Sequence, residues 1–268
     1  MAKISKEEKH QYFEKTKSFK TSIDAILKQE LTILSLIRKD PAEYVYRRVN
    51  LAEDMLNLAS NYLVLNGISL SMLNLKNEDA LNEGRKSIYK SIIYLEELVT
   101  NYVDAAFSEY EAKLRELESL DAARRYALVR KMGLAIQLLE NSYGDNSKWK
   151  WTFVELEGRF AVVAKNIFDL KNAIMNTDPR SPQYAPTVYH LRLIKKLLAQ
   201  VADRYRNKYE LATNHMNDFK QSINFLSALR RIHVLLGERD EAEMVRKKLD
   251  AWSMKFEADS RKHDESLA

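Results

Sequence analysis

Apolar residues recur at alternating spacings of three and four along almost the whole chain. This is the period of an amphipathic α-helix, and no segment has the every-second-residue alternation of a half-buried β-strand. The pattern therefore predicts an all-α protein. We expect an elongated antiparallel bundle of about eight helices, with the long apolar seams shared between neighbours.

Turn and capping residues divide this pattern into helices. The first five are predicted over about 6–39, from Pro41 to Gly67, over about 78–119, from Asp121 to Gly144 and over about 148–176. A sixth carries Leu191, Ile194, Leu198, Val201 and Tyr205, and two more flank Gly237. A continuous helix over 78–119 would span about 60 Å, which is the basis for expecting an elongated shape.

The helices are expected to fall into two segments. Residues 1–120 would form an N-terminal segment of three helices and residues 121–268 a C-terminal segment of five, or the two would form one continuous helical domain. The stretch DPRSPQYAP, at 178–186, holds three of the four prolines and is the clearest loop in the chain.

Two faces are distinguished on the helix predicted over 148–176, which begins KWKWTF. One is a heptad seam of Trp149, Phe153, Leu156, Phe160, Val163, Ile167, Leu170 and Ile174. Trp151 lies about 200° round the helix from Trp149, on a face with Val154, Gly158, Ala161, Lys165, Phe168 and Met175. Small residues there would admit a close neighbouring helix. Trp151 either packs within the bundle or anchors a partner at the surface.

The stretch FLSALRRIHVLLGERDEAEMVRKKLDA resembles the helical hairpin of a tetratricopeptide repeat. Leu226, Leu229, Gly237, Ala242 and Leu249 stand where that repeat has large, large, turn, small and apolar residues. Arg230 and Arg246 depart from it, and the sequence contains no second copy. The resemblance implies a helix-turn-helix hairpin at this place.

The residue composition of the chain indicates where in the cell the protein is located. The absence of cysteine excludes disulfides, thiolate nucleophiles and cysteine-ligated zinc. The first residues, MAKISKEEKHQYF, are charged and are not followed by the apolar core of a secretory signal. No stretch reaches the roughly 18 to 20 apolar residues that span a bilayer. These features predict a cytoplasmic protein.

Motifs for catalysis are missing from the sequence. The six glycines are too widely spaced for a phosphate loop, and the five histidines include no HExxH. One ExxH, from Glu7 to His10, occurs once, whereas dimetal bundles need it twice. We therefore predict no enzyme activity, cofactor, metal site or small-molecule substrate.

Positive charge is concentrated in one part of the chain. Residues 148–211 contain twelve Lys or Arg against six Asp or Glu. The candidate partner-binding residues in this basic hairpin are Trp151, Arg192, Lys195, Lys196, Arg204, Tyr205, Arg206, Lys208 and Tyr209. They could follow a polyanion, with the tyrosines stacking on bases, dock an acidic protein or an anionic lipid, or form a solvated helix face.

Together these patterns favour a non-catalytic helical scaffold or adaptor that acts through protein–protein contacts or self-association. Long apolar seams with exposed ends are readily shared between chains. The alternative is a protein that binds nucleic acid or an anionic membrane surface through the basic 148–211 hairpin.

Overall fold

The computed structural model describes residues 5–40, 43–144 and 147–267. Within these ranges the chain forms ten α-helices and no β-strand, which confirms the all-α prediction. The helices are α1 (Lys6–Lys39), α2 (Tyr44–Leu73), α3 (Glu78–Glu96), α4 (Phe107–Glu116), α5 (Ala122–Tyr143), α6 (Lys150–Asn166), α7 (Leu170–Asn176), α8 (Tyr184–Lys208), α9 (Met216–Leu235) and α10 (Arg239–Leu267). A π-helical turn, Tyr209–Thr213, follows α8. None of the helices so described is long and apolar enough to cross a membrane.

The described residues form two compact units. Unit 1 contains the residues up to Leu98 together with Ala127–Lys150, and unit 2 contains Val99–Tyr126 together with the residues from Trp151 onward. These units do not coincide with the predicted segments 1–120 and 121–268. The reason is that the chain enters unit 2 after α3, returns to unit 1 within α5 and leaves it again at the start of α6.

Unit 1 is built from α1, α2, α3 and most of α5. Contact between α2 and α3 is close enough for the Ser91 hydroxyl to donate to the Ala52 carbonyl oxygen at 2.8 Å. On α1, the Glu30 carboxylate is only 5% exposed. It accepts hydrogen bonds from Lys90 Nζ at 2.8 Å and from the Tyr94 hydroxyl at 2.5 Å. The buried charge is therefore compensated from α3, as burial of a carboxylate requires.

Several predicted helix ends are confirmed. The first helix has the predicted bounds, 6–39. The Asp121 carboxylate accepts a hydrogen bond from the Arg124 backbone N–H at 2.8 Å and caps α5. Gly144, with φ of +82°, ends α5 in the left-handed conformation that glycine adopts most readily.

The predicted end of the second helix at Gly67 is wrong, since α2 continues to Leu73. Asn66 is buried, and its Oδ1 accepts a hydrogen bond from the Asn77 backbone N–H at 2.9 Å. This tertiary contact outweighs the turn preference of Asn-Gly. The helix ends instead at Leu73, and Asn74, with a φ of 50°, follows it as the C-cap.

The single helix predicted over 78–119 is also wrong, because α3 and α4 are separated by residues 97–106. Asn166 Nδ2 donates to the carbonyl oxygens of Thr100 at 2.7 Å and Tyr102 at 3.2 Å. A distant side chain thus binds backbone groups that a continuous helix would have paired internally. The length of about 60 Å expected for that helix therefore does not apply. Tyr102, in the connection between α3 and α4, is 68% exposed.

The helix predicted over 148–176 is divided into α6 and α7. The Ile167 carbonyl oxygen accepts a hydrogen bond from Arg125 Nη1 at 3.0 Å. The Asp169 carboxylate then accepts one from the Asn172 backbone N–H at 3.1 Å and caps α7. The predicted seam is buried along α6 and up to the break, at Phe153, Leu156, Phe160, Val163 and Ile167.

The two tryptophans of KWKWTF belong to different units. Trp149 precedes α6 and lies in unit 1, where the Arg85 guanidinium sits 4.7 Å from the centre of its ring. It therefore does not begin the α6 seam. Trp151 lies in unit 2 and is half-buried.

Unit 2 confirms that the second face of α6 admits a close neighbour. A Cβ added at Gly158 would lie 2.9 Å from Cε2 of Tyr205 on α8. The Tyr205 ring in turn stacks on Phe225 of α9, with centroids 5.7 Å apart. After α9, Gly237 has a φ of +72° and turns the chain into α10, which confirms the predicted helix-turn-helix hairpin.

Gly158→Ala should lower the free energy of unfolding by about 1–3 kcal/mol, because the added methyl group overpacks the contact with Tyr205. Gly67→Ala is the matched control. Nothing lies within 4 Å of a Cβ at Gly67, so alanine there should stabilise α2 by roughly 0.5–1 kcal/mol. Chemical denaturation of both variants checks the pair, and shifts of the same sign would contradict the close α6–α8 packing.

Candidate interaction surface and cleft

The nine predicted partner-binding residues lie in unit 2, on α6, α8 and the π-helical turn. Among them, Tyr205 and Tyr209 are buried. Their rings stack on Phe225 at 5.7 Å and on Phe219 at 4.9 Å. Neither ring is accessible for the stacking on bases that the sequence suggested. Trp151, in contrast, keeps part of its ring at the surface.

Four of the six predicted cations form ion pairs with carboxylates of unit 2 itself. The pairs are Lys195–Glu238 at 2.5 Å, Arg204–Glu157, Arg206–Glu210 at 3.0 Å and Lys208–Asp218 at 2.8 Å. In addition, the Arg206 guanidinium lies 4.7 Å from the centre of the Trp252 ring. Much of the positive surplus of α8 is thus neutralised inside the protein.

The other two cations, Arg192 and Lys196, are exposed and have no ion pair in the part of the chain that the structure describes. They lie one helical turn apart on the outward side of α8. The exposed ring of Tyr189 lies one turn before Arg192. The accessible part of the predicted basic surface is therefore small.

A second candidate site surrounds Lys165, near the end of α6. This lysine is only 8% exposed, and its ammonium lies 5.3 Å from the centre of the Tyr110 ring. Within residues 5–40, 43–144 and 147–267 it has no ion pair and no hydrogen-bond acceptor for its side chain. The sequence signal was a single lysine within the apolar run FAVVAKNIF, on the face that also carries Gly158.

The Asp104 carboxylate lines the same cleft as Lys165 but is paired with another cation. Arg231 binds the Asp104 carboxylate through two hydrogen bonds, Nε at 2.8 Å and Nη2 at 3.1 Å. Burial lowers the pKa of Lys165 to about 8, although the charge of Asp104 opposes the shift. Burial also raises the pKa of Tyr110 to about 12. At neutral pH the cleft therefore contains a buried ammonium beside a neutral phenol.

The cleft above this ammonium is mostly apolar. Its apolar lining consists of Ala105, Phe168, Leu170, Leu191, Ile194, Ala228, Ile232 and Leu235. The space is about 30 Å³, enough for one or two water-sized groups. At the end of α9, Val234 is 55% and Leu235 50% exposed. Leu235 belongs to the lining, so an exposed apolar side chain lies beside the cleft.

Lys165→Met should stabilise the protein near pH 7 by about 1–3 kcal/mol, because it removes a buried, unpaired charge. In the unfolded chain the lysine stays protonated up to its ordinary pKa of 10.5, but in the folded chain only up to about 8. Between these values the unfolded state binds more protons at this site, so the contribution of Lys165 to the stability of the unmutated protein should rise with pH.

The advantage of Lys165→Met should therefore shrink as the pH rises from about 8 to about 10. Denaturant titrations of both proteins across this range measure the difference. A variant that is less stable than the unmutated protein near pH 7 would show that the ammonium is compensated within the chain.

Comparison with known proteins places the chain in a family. No curated protein and no solved structure matches it. The model of the TP0443 family matches residues 8–260, which include the described helices from most of α1 to most of α10. The chain therefore belongs to the TP0443 family.

Proposed function

We propose that the protein is a non-catalytic helical adaptor and that unit 2 binds a protein partner at the cleft over Lys165. The observation that carries this proposal is a buried ammonium without an ion pair among the described residues, at the base of an apolar cleft. A buried charge without an ion pair lowers the free energy of unfolding. A carboxylate from a partner would pair with the ammonium, and the partner would thereby gain a specific contact.

The cleft defines the chemistry of the partner segment. A space of about 30 Å³ suits a single carboxylate rather than a larger head group. Eight of the twelve residues that line it, Leu235 among them, are apolar, and apolar side chains dominate the buried centre of a protein interface. We therefore propose that the segment presents an Asp or Glu side chain between apolar residues, with that carboxylate as the anchoring contact.

Selection of random peptides against the unmutated protein tests this proposal. The enriched peptides should contain an acidic residue between apolar residues. Lys165→Met should weaken their binding about tenfold or more, because the anchoring charge pair is lost. Lys220→Met, which removes an exposed cation of α9 outside the cleft lining, is the control and should leave binding unchanged.

A double-mutant cycle separates the charge pair from indirect effects. Replacing the acidic residue of an enriched peptide by its amide should weaken binding to the unmutated protein but have little further effect on Lys165→Met. Peptides without an acidic residue, or additive losses in the cycle, would contradict the proposed anchor. Circular dichroism of each variant checks that the helices are intact.

The alternative function, binding of nucleic acid or an anionic membrane, is supported by the exposed pair Arg192 and Lys196. For two phosphate contacts, the logarithm of the affinity should fall with the logarithm of the salt concentration with a slope of about −1.4 to −1.8. Arg192→Glu combined with Lys196→Glu should then abolish binding to single-stranded nucleic acid or anionic vesicles. It should leave stability within about 0.5 kcal/mol, because both side chains are exposed. No binding by the unmutated protein at low salt would remove this alternative.

A further inference from the structure

A second cavity of unit 2 is larger than the cleft over Lys165 and more polar. Its volume is about 310 Å³, which lies within the range of small-molecule sites. The first turns of α5, the short helix α7 and the first turns of α8 enclose it. Phe168 lines both this cavity and the cleft, whereas the polar residues of the two sites are different.

Two polar atoms in the wall of this cavity lack a hydrogen-bond partner. Thr187 is 2% exposed, and its hydroxyl is unpaired within the described part of the chain. The same is true of the buried Gln183 Oε1, one helical turn earlier. Buried polar groups are nearly always hydrogen-bonded in proteins. An unpaired hydroxyl and an unpaired amide oxygen in one cavity therefore point to a ligand that donates hydrogen bonds.

His190 adds a further acceptor to the same wall. Its Nε2 lies 2.9 Å from the Ala164 carbonyl oxygen, so this nitrogen carries the proton and Nδ1 has a free lone pair. Burial lowers the pKa of His190 to about 4, which keeps the ring neutral at pH 7. The ring meets Phe168 edge to face, with centroids 5.0 Å apart.

The charges around the cavity favour a cation. Three carboxylates line it, those of Glu118, Asp121 and Asp169, against the single positive charge of Arg125. The Arg125 guanidinium points three of its N–H groups at backbone carbonyl oxygens. These belong to Leu120 at 2.7 Å, Leu117 at 2.8 Å and Ile167 at 3.0 Å. The cavity thus offers mainly acceptors and an excess of negative charge.

We infer that this cavity binds a small aliphatic amine in its ammonium form. The ammonium would donate hydrogen bonds to Thr187 Oγ1 and Gln183 Oε1, and the carboxylates of Asp121 and Asp169 would balance its charge. The hydrocarbon part would lie against Phe168 and other apolar wall atoms. The three carboxylates would repel an anion. A neutral alcohol would leave their negative charge unbalanced.

Calorimetry with cyclohexylamine and its neutral analogue cyclohexanol tests the inference. The amine should bind with a dissociation constant of about 1 mM or tighter, as expected of a fragment-sized ligand, and the alcohol at least about tenfold more weakly. Chemical-shift changes in the unmutated protein should centre on Phe168 and His190. Equal binding of the two probes, or no binding of the amine, would overturn the inference and indicate a cavity that holds water.

Two conservative variants locate the site. Thr187→Val should weaken amine binding about fivefold or more, while the free protein becomes no less stable because the lost hydroxyl has no partner to leave unpaired. Asp169→Asn keeps the oxygen that caps α7 but removes the charge and the oxygen that accepts from Asn172 Nδ2, and it should weaken binding similarly. Asp203→Asn, an exposed aspartate outside the lining, is the charge control. A loss in the control as large as in Asp169→Asn would overturn the inference.

Discussion

Two buried side chains, Arg125 and Asn166, bind backbone carbonyl groups in the segments where the helices of unit 2 are interrupted. Arg125 donates to the carbonyl oxygens of Leu117 and Leu120, in the connection between α4 and α5, and of Ile167, after α6. Carbonyl groups at helix ends carry partial negative charge, so a guanidinium with several donors suits them. The breaks between helices are therefore stabilised by specific hydrogen bonds.

Both candidate sites depend on these hydrogen bonds, because residues that line each site lie next to the bonded residues in the sequence. Asn166 follows Lys165, and it binds the segment that places Asp104 in the cleft. Ile167, bound by Arg125, precedes Phe168, which lines both the cleft and the polar cavity. Continuous helices through these breaks would have placed the same side chains along regular seams, as the sequence pattern predicted.

The predictable part of the fold was the part that depends on local sequence. The period of the apolar residues identifies the buried faces of α6 and α8, and glycines at positive φ mark the ends of α5 and α9. The breaks after α3 and α6 depend on contacts across the fold. The Asn166–Thr100 and Arg125–Ile167 bonds join residues 66 and 42 positions apart. Periodicity cannot reveal such bonds, because the apolar pattern continues through both breaks.

The candidate sites, too, could be predicted only in the features that depend on local sequence. The sequence identified the basic character of α8, but the carboxylates that pair with Lys195 and Arg204 are 43 and 47 residues away. A count of charges by segment cannot find them. Sequence also placed Lys165 on the face of α6 that packs closely, although its lack of an ion pair among the described residues depends on Arg231 and Asp104 from distant segments.

The buried charges of the two units differ in a way that bears on function. In unit 1, Glu30 is paired by Lys90 and Tyr94, so helix packing in this chain is able to satisfy a buried charge. In unit 2 a carboxylate also faces the cleft, but Arg231 binds Asp104 through two hydrogen bonds, the geometry in which a guanidinium competes best for a carboxylate. Asp104 is therefore paired with Arg231 and not with Lys165. An ammonium without an ion pair lowers the stability of unit 2, and a carboxylate bound in the cleft would recover that free energy.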